Sequence, residues 1–218
     1  MTISQTAAFC AKTWKTLMLE SQPIILKRKS LVLGQMTEKD VPGLTELAKK
    51  NIAELRYTSG PWMPEWYELA FNEHKAGRAV PFTIRLGDKI VGATRFADIN
   101  PALPAAELGW TWMDPQYYGK GLNTSVKYLV LTHAFESWKL SRLQIKTAGN
   151  NIRSQKAIEK LGAVREGLLR NHRRLLDGTL DGTMMYSITD TEWPAIKEKL
   201  EKRMFDEQRI HQSWCMRY

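Results

Sequence analysis

Residues 107–127 combine a strand, a glycine-punctuated loop and a helix in one short stretch. The segment from Glu107 to Met113 is rich in aromatic and β-forming residues, which is typical of a strand. Asp114-Pro115 ends that strand, because proline cannot donate to a sheet ladder. From Leu122 onward, apolar residues recur at helical spacing. A loop that leads into a helix directs unpaired N–H groups and the positive end of the helix dipole at one point, which predicts an anion site.

The loop glycines narrow the kind of anion site. The dinucleotide fingerprint needs three glycines and a ribose-binding acid about 20 residues further on, and the P-loop needs Gly-Lys-Ser/Thr after a longer run. The loop instead fits Gln/Arg-x-x-Gly-x-Gly/Ala through Gln116, Gly119 and Gly121. That pattern resembles the pyrophosphate loop of acyl-CoA-dependent N-acetyltransferases of the GNAT superfamily. An ordinary strand-to-helix turn is the alternative that this loop alone leaves open.

A second motif follows, one helix and one strand later. Asn151-Ile-Arg-Ser154 and then Glu159-Lys-Leu-Gly162-Ala163 are similar to the GNAT segment Asn-x-x-Ser followed by Glu-Lys-x-Gly-Phe, with Ala163 in place of the usual Phe. Arg165-Glu-Gly-Leu-Leu-Arg170 continues the resemblance to the RimJ/RimL-type branch, named for ribosomal-protein N-terminal acetyltransferases. Two motifs in the expected order carry more weight than either alone, and the resemblance covers residues 29–203.

The resemblance implies acetyl-CoA as cosubstrate and no metal. Strands 107–113 and 142–147 would be parallel and splayed, so that the pantetheine arm pairs with exposed strand backbone like an added strand. The amides of residues 118–122 would hold the pyrophosphate. The implied cofactor-binding residues are Trp112, Met113, Gln116, Tyr118, Gly119, Lys120, Gly121, Leu122, Asn123, Thr124, Asn151, Ser154 and Lys156. Lys120 and Lys156 are equally compatible with solvated surface residues.

Acyl transfer to an amine needs a base for the amine, a polarised thioester carbonyl and a proton for the thiolate. The resemblance implies that Glu107 is the general base, acting through water; the alternative is a carboxylate that orients nearby backbone. For the acid it implies Ser154, because Ile158 stands where many GNAT enzymes have a tyrosine and has no proton to give. The alternative for Ser154 is a helix cap.

Other chemically notable side chains have simpler explanations. His133 lies within an apolar helix and is expected in the core or at its edge. Glu166 ranks below Glu107 as a carboxylate near the acceptor. Trp62, Trp66 and Trp110 could line an acceptor pocket, although core packing is the default for tryptophan at helical or strand spacing.

The periodicities predict the order β, α, α, β, β, β, α, β, α, β, β, α, which excludes a TIM barrel and a regular doubly wound sheet. Gly87-Asp88 predicts a hairpin, and Thr37 with Asp40 predicts a helix start. With the resemblance, the expected fold is α/β (α+β): a GNAT fold whose mixed central sheet of about seven strands is splayed between 107–113 and 142–147 and flanked by about four to five helices. The expected organisation is an N-terminal extension over 1–28, one acyltransferase domain over 29–203 and a C-terminal tail over 204–218.

The composition is typical of a soluble globular protein, with 218 residues, 43% hydrophobic and 25% charged. No apolar run approaches the roughly 18–20 residues that span a bilayer. Residues 1–20 lack the pattern of a signal peptide. The two cysteines, Cys10 and Cys215, have no metal-binding spacing. These features predict a cytoplasmic protein with neither a membrane partner nor a structural metal.

The net charge of +9 is spread unevenly, since residues 139–174 carry ten Lys/Arg against two Glu, a net of +8. This excess of positive charge suits a phosphorylated cofactor or a nucleic-acid surface, and it argues mildly against a polycationic acceptor.

The leading interpretation is an N-acetyltransferase that acts in a ternary complex on a primary amine, either a protein or peptide N-terminus or a small molecule. The alternatives are a non-catalytic CoA-binding or ribosome/RNA-binding module and a transferase of another acyl group. Nucleic acid is not expected as a substrate, and a homodimer is compatible with the resemblance.

Overall fold

The computed structural model describes residues 22–55, 57–58, 60–100 and 102–206, together with the backbone of 207–215. Within these residues one eight-stranded sheet carries the fold, in the order β1-β2-β3-β4-β5-β6-β8-β7. The strands are β1 (Ile25–Arg28), β2 (Leu31–Gln35), β3 (Val80–Leu86), β4 (Lys89–Asn100), β5 (Ala105–Met113), β6 (Arg142–Ala148), β7 (Val164–Arg174) and β8 (Leu180–Thr189). The flanking α-helices of this part of the chain are α1 (Val41–Lys50), α2 (Pro64–Lys75), α3 (Leu122–Thr132), α4 (Ile152–Leu161) and α5 (Trp193–Cys215).

The sheet opens between β5 and β6. These two strands are parallel, and their pairing runs only from Ala105 opposite Arg142 to Glu107 opposite Gln144. Beyond that point β5 keeps β4 as its neighbour and β6 keeps β8, both antiparallel. The long connection through α3 is what a parallel pair requires. The predicted GNAT fold and its splay are therefore confirmed.

Two apolar clusters cover the sheet. The larger one packs Phe82, Phe96 and Leu108 against helices α3 and α5. The smaller one, formed with α1 and α2, includes Trp66 and Trp112. Because side chains alternate along a strand, β4 and β5 contribute to both clusters. The α1/α2 side also carries Arg95, which lies beside the Trp66 and Trp110 rings of the smaller cluster.

Both ends of the fold differ from the predicted boundaries. Strand β1 lies at Ile25–Arg28, inside the segment expected to precede the domain, and Ile24 joins the core. Its sequence lacks apolar alternation, because β1 is an edge strand whose residues are exposed or half-buried. Helix α5 continues to Cys215 instead of ending near Arg203, and Met204, assigned to the tail, is buried. Residues 1–21 lie outside the described residues, so an extension there stays a prediction.

Local signals in the sequence correspond to real turns. Gly87-Asp88 joins β3 to β4 as the predicted hairpin. Asp40 forms a capping box with Thr37, whose N–H donates to Asp40 Oδ2 over 2.9 Å. Asp40 is also ion-paired with Arg85, which joins the start of α1 to the sheet. Along the described chain, helices with the length and apolarity to cross a bilayer are absent.

Candidate active site

The loop before α3 presents free backbone N–H groups. Gly119 and Gly121 have φ angles of 74° and 78°, in the left-handed region that favours glycine. Their amides donate to no group in the described part of the chain. The first bond of α3 runs from Ser125 N–H to the carbonyl of Gly121 over 3.1 Å, so the amides of residues 122–124 lack helical acceptors. Together these groups form a donor surface suited to a phosphate.

Two of the predicted loop amides are used within the loop. The N–H of Tyr118 donates to Pro115 and that of Lys120 donates to Tyr117, over 3.0 and 3.3 Å. The Gln116 side chain also turns inward, because its amide donates to the buried carboxylate of Asp114. Gln116 therefore fixes the shape of the loop. The Lys120 side chain is exposed.

The second motif caps helix α4. Asn151 is the N-cap, and its Oδ1 accepts the N–H of Ser154 over 3.1 Å. The Asn151 amide donors remain for a ligand. Because the cap is Asn151, the Ser154 side chain does not serve as one, and within the described residues its hydroxyl makes no hydrogen bond. Ile158 is buried in the core and Lys156 is exposed.

The two motifs meet at one edge of the sheet. Since β5 and β6 are parallel, their C-terminal ends, the loop before α3 and the start of α4 all lie at the mouth of the splay. The guanidinium of Arg153 lies 4.7 Å from the Tyr118 ring and 3.0 Å from the Glu54 carboxylate, so α4 contacts both the loop and the segment after α1. Glu107 lies at the last β5–β6 pair, which is the apex of the splay. From Glu107 to Met113 there are six residue steps, which span at most about 20 Å of strand.

A charge cluster surrounds Glu107, which is itself 4% exposed, while Lys146 is half-buried and Asp98 is exposed. Lys146 Nζ, on β6, lies 2.6 Å from Glu107 Oε2 and 3.0 Å from Asp98 Oδ2. Burial raises the pKa of the Glu107 carboxyl and exceeds the lowering by Lys146. Burial lowers the pKa of Lys146, but the bonds and charges of Glu107 and Asp98 raise it overall. A Cβ on half-exposed Gly109 would lie 3.0 Å from Glu107 Oε1, so the missing side chain keeps this oxygen accessible.

A second cation, half-buried Lys127, lies on the α3 side of β5. Lys127 Nζ donates to Thr111 Oγ1 over 2.9 Å, and Thr111 Oγ1 is 2.8 Å from Thr94 Oγ1. Burial lowers the pKa of Lys127 to about 8. Thr111 follows Trp110, whose φ of 50° marks a bulge where β5 loses its regular register with β4. This bulge lies beyond the last β5–β6 pair, where β5 has a free edge.

The remaining predicted side chains separate into core and surface. His133 is buried beside Trp138 at a ring distance of 4.7 Å, and burial lowers its pKa to about 4. Glu166 pairs with Arg142 through two hydrogen bonds, which lowers its pKa and removes it from the Glu107 cluster. Trp66 is buried in the smaller cluster, while Trp62 and Trp110 are half-exposed at its edge.

Sequence reasoning did not identify Lys146, Arg95 or Lys127. Lys127 had a visible signal, because it interrupts the apolar stripe that Val126 and Val130 set on α3. For Lys146 and Arg95 the only signal was the alternation of residues along a strand. Alternation predicts which face of the sheet a side chain lies on, but not which residue of a neighbouring strand it contacts. Groups of three or more His, Cys, Asp or Glu that could hold a metal are absent from the described residues.

A sheet splayed at a parallel pair, a donor loop at its mouth and a buried carboxylate at its apex define a class of acyltransferase with an extended cosubstrate. The chain belongs to the acetyltransferase (GNAT) domain family, which matches residues 30–164. It is 29% identical over 119 residues to the ribosomal-protein-serine acetyltransferase of Escherichia coli K12, covering 55% of this chain and 66% of that protein. The chain spans about half to two-thirds of the length of the curated relatives it matches, between 49% and 66%.

Solved structures agree with this assignment. A protein from T. thermophilus classed as an acetyltransferase is 32% identical, with a TM-score of 0.68 over 84% of this chain and 98% of that one. Mycobacterium smegmatis RimJ, solved with CoA-disulfide, shares the fold at 22% identity, with a TM-score of 0.70 over 83% of this chain and 93% of that one. The predicted family is confirmed, and the E. coli relative supports the RimJ/RimL-type branch.

Proposed function

We propose that this protein is an acetyl-CoA-dependent N-acetyltransferase that acts on a primary amine in a direct ternary complex. The observation that carries the proposal is the splay itself, with free loop amides at its mouth and the carboxylate of Glu107 at its apex. The family match supports the same conclusion. The ribosomal-protein name of the E. coli relative is consistent with a cytoplasmic location and places protein N-termini among the acceptors to be tested.

The cosubstrate would lie along the free edge of β5. The amides of Gly119, Gly121 and the first turn of α3 would bind the pyrophosphate, with Asn123 and Thr124 adding side-chain contacts. The Asn151 amide and the edge of β5 at Trp112 and Met113, which pairs with β4 on one side and has lost β6 on the other, would bind the pantetheine arm. This placement brings the thioester toward Glu107.

The chemistry needs one base and one acid. An α-amine has a pKa near 8 and a lysine amine near 10.4, so the acceptor arrives largely protonated. Glu107, through a water, removes that proton, and the free amine nitrogen then bonds to the acetyl carbon. The nitrogen releases a second proton to that water as the carbon–sulfur bond breaks, which leaves the amide and the thiolate. Backbone N–H groups on β5 stabilise the oxyanion. The thiolate takes a proton, for which the free hydroxyl of Ser154 is the proposed donor.

A thiol-release assay tests this function. The full chain is mixed with acetyl-CoA and a panel of amines, amino acids, dipeptides and N-terminal peptides, and products are identified by mass spectrometry. Acceptor-dependent CoA release together with an acetylated product is the expected result. Calorimetric binding of acetyl-CoA without transfer to any acceptor would favour a non-catalytic CoA-binding module. Absence of acetyl-CoA binding would contradict the proposal.

A further inference from the structure

Arg95, on β4, is a buried cation that has no carboxylate partner among the described side chains. It is 3% exposed, and its Nε and Nη1 have no hydrogen-bond acceptor among the described residues. The guanidinium centre lies 3.8 Å from the Trp110 ring and 5.5 Å from the Trp66 ring. Both indole rings stabilise the guanidinium cation through cation–π contacts. Neither indole ring supplies an in-plane acceptor, so Nε and Nη1 have none among the described residues.

The nearby carboxylates are occupied by other cations. Glu107, Glu73 and Asp98 act electrostatically on Arg95. Glu107 and Asp98 are ion-paired with Lys146, and Glu73 is ion-paired with Arg78. Burial lowers the pKa of Arg95 to about 10, and these carboxylates only partly oppose it. A buried guanidinium without an in-plane acceptor is costly, whereas a carboxylate matches its donors in two parallel hydrogen bonds.

Arg95 and Glu107 share one face of the sheet. Arg95 is opposite Gly109 and Ala97 is opposite Glu107, so the two side chains form a diagonal cross-strand pair. The Cα atoms of such diagonal neighbours are about 7–8 Å apart, so one small molecule can contact both side chains. Gly109, opposite Arg95, and Trp110, whose ring lies beside its guanidinium, are half-buried and so keep some contact with solvent. A ligand that enters there meets Glu107 at one end and Arg95 at the other.

We infer that Arg95 is a carboxylate-binding site in the acceptor cleft, and that the preferred acceptors are free amino acids or dipeptides, whose amine and carboxylate are a few bonds apart. The carboxylate binds the guanidinium stacked on Trp110 while the amine faces Glu107. This inference rests on the proposed function for the identity of the acceptor. Binding of the carboxylate itself does not require turnover.

The test compares acceptors that differ only in charge at one end. Alanine and glycylglycine are each paired with their C-terminal amides, at equal concentrations of free-base amine. We expect the wild-type kcat/KM to favour the carboxylate form by about tenfold or more, as for a charged hydrogen-bonded pair. Arg95→Gln should abolish this preference mainly through KM, and Arg95→Lys should restore part of it. Lys75→Gln, which removes an exposed charge from α2, should leave the preference unchanged.

Binding by calorimetry separates the two claims. The same four compounds are titrated into wild type and Arg95→Gln in the presence of CoA, and thermal unfolding checks that the variant is folded. Tighter binding of the carboxylate forms that depends on Arg95 would support the site even if no transfer occurred. Equal use and equal binding of acid and amide by the wild type would overturn it, as would a preference that survives in Arg95→Gln. If Arg95→Gln does not fold, the wild-type and Arg95→Lys comparisons decide.

Discussion

At the scale of single residues, the base strength of Glu107 results from two opposed effects. Burial raises the pKa of this carboxyl, and Lys146 opposes that shift from 2.6 Å away. A base with a raised pKa binds the amine proton more strongly, but it must be ionised to do so. The rate should therefore fall on the acid side at a pH above the ordinary range of a glutamate.

Lys146→Met tests this balance. Without the cation the Glu107 carboxylate loses stabilisation, so its pKa rises further and the acid limb of kcat/KM should move to higher pH by about one unit or more. The measurement is a pH profile with acetyl-CoA and one active acceptor. Lys89→Met, which removes an exposed charge from the β3–β4 turn, should leave the limb in place. An unmoved limb in Lys146→Met would contradict the assignment of Glu107 as base.

The site residues that could be predicted from the sequence lie in local motifs, whereas those that could not are brought together by strand pairing. Glu107, Gly119 and Asn151 lie in local motifs, where spacing along the chain carries the information. Lys146 and Arg95 act through strand register. Lys146 contacts Glu107 on β5 and Asp98 on β4, and Arg95 contacts Trp110 on β5. Only the pairing of β4, β5 and β6 brings these charges together.

At the scale of elements, the loop before α3 depends on a left-handed glycine. Gly119→Ala would strain the backbone by roughly 1–2 kcal/mol and place a methyl group where the pyrophosphate would lie. Gly87 gives a matched control, since it also has a positive φ, 59°, and open space at its Cβ position. Both variants should lose similar stability in urea unfolding. Gly119→Ala alone should weaken acetyl-CoA binding, by about tenfold, measured by calorimetry.

Equal acetyl-CoA affinity in the two glycine variants would show that the loop is only a turn.

The same loop is an example of structure that local sequence patterns predict. The Gly87-Asp88 hairpin, the capping box at Thr37 and the strand–loop–helix unit are encoded within a few residues, and the sequence predicts them. Strand β1 is encoded by its pairing with β2 instead, and its half-exposed Ile-Leu-Lys-Arg has no alternation to detect.

At the scale of the whole molecule, His133 couples folding to pH. It is buried between Phe96 and Trp138, and burial lowers its pKa to about 4 from 6.5. As the pH falls through 6.5, His133 therefore becomes protonated in the unfolded chain but stays neutral in the folded chain. The contribution of neutral His133 to the free energy of unfolding is complete above pH 6.5 and is lost progressively down to about pH 4.

From pH 7.5 to 5.0 the His133 contribution to the free energy of unfolding should fall by about 2 kcal/mol. Urea unfolding at both values measures it. His133→Gln should be less stable at pH 7.5 but should lose about 2 kcal/mol less than the wild type on acidification. Phe135→Leu, which removes buried volume beside the same helix without removing a titratable group, is the control and should keep the wild-type pH dependence. Identical pH dependence in His133→Gln and the wild type would refute a neutral buried histidine.

The most direct measurement of the central claim is the transfer rate of Glu107→Gln with acetyl-CoA and an active acceptor. Glu166→Gln is the matched control, because Glu166 is paired with Arg142 away from the Glu107 cluster. The proposed mechanism predicts that kcat falls by about 100-fold or more in Glu107→Gln while acetyl-CoA affinity stays unchanged, and that Glu166→Gln keeps most activity. Full activity in Glu107→Gln would contradict acyl transfer assisted by a base at the apex of the splay.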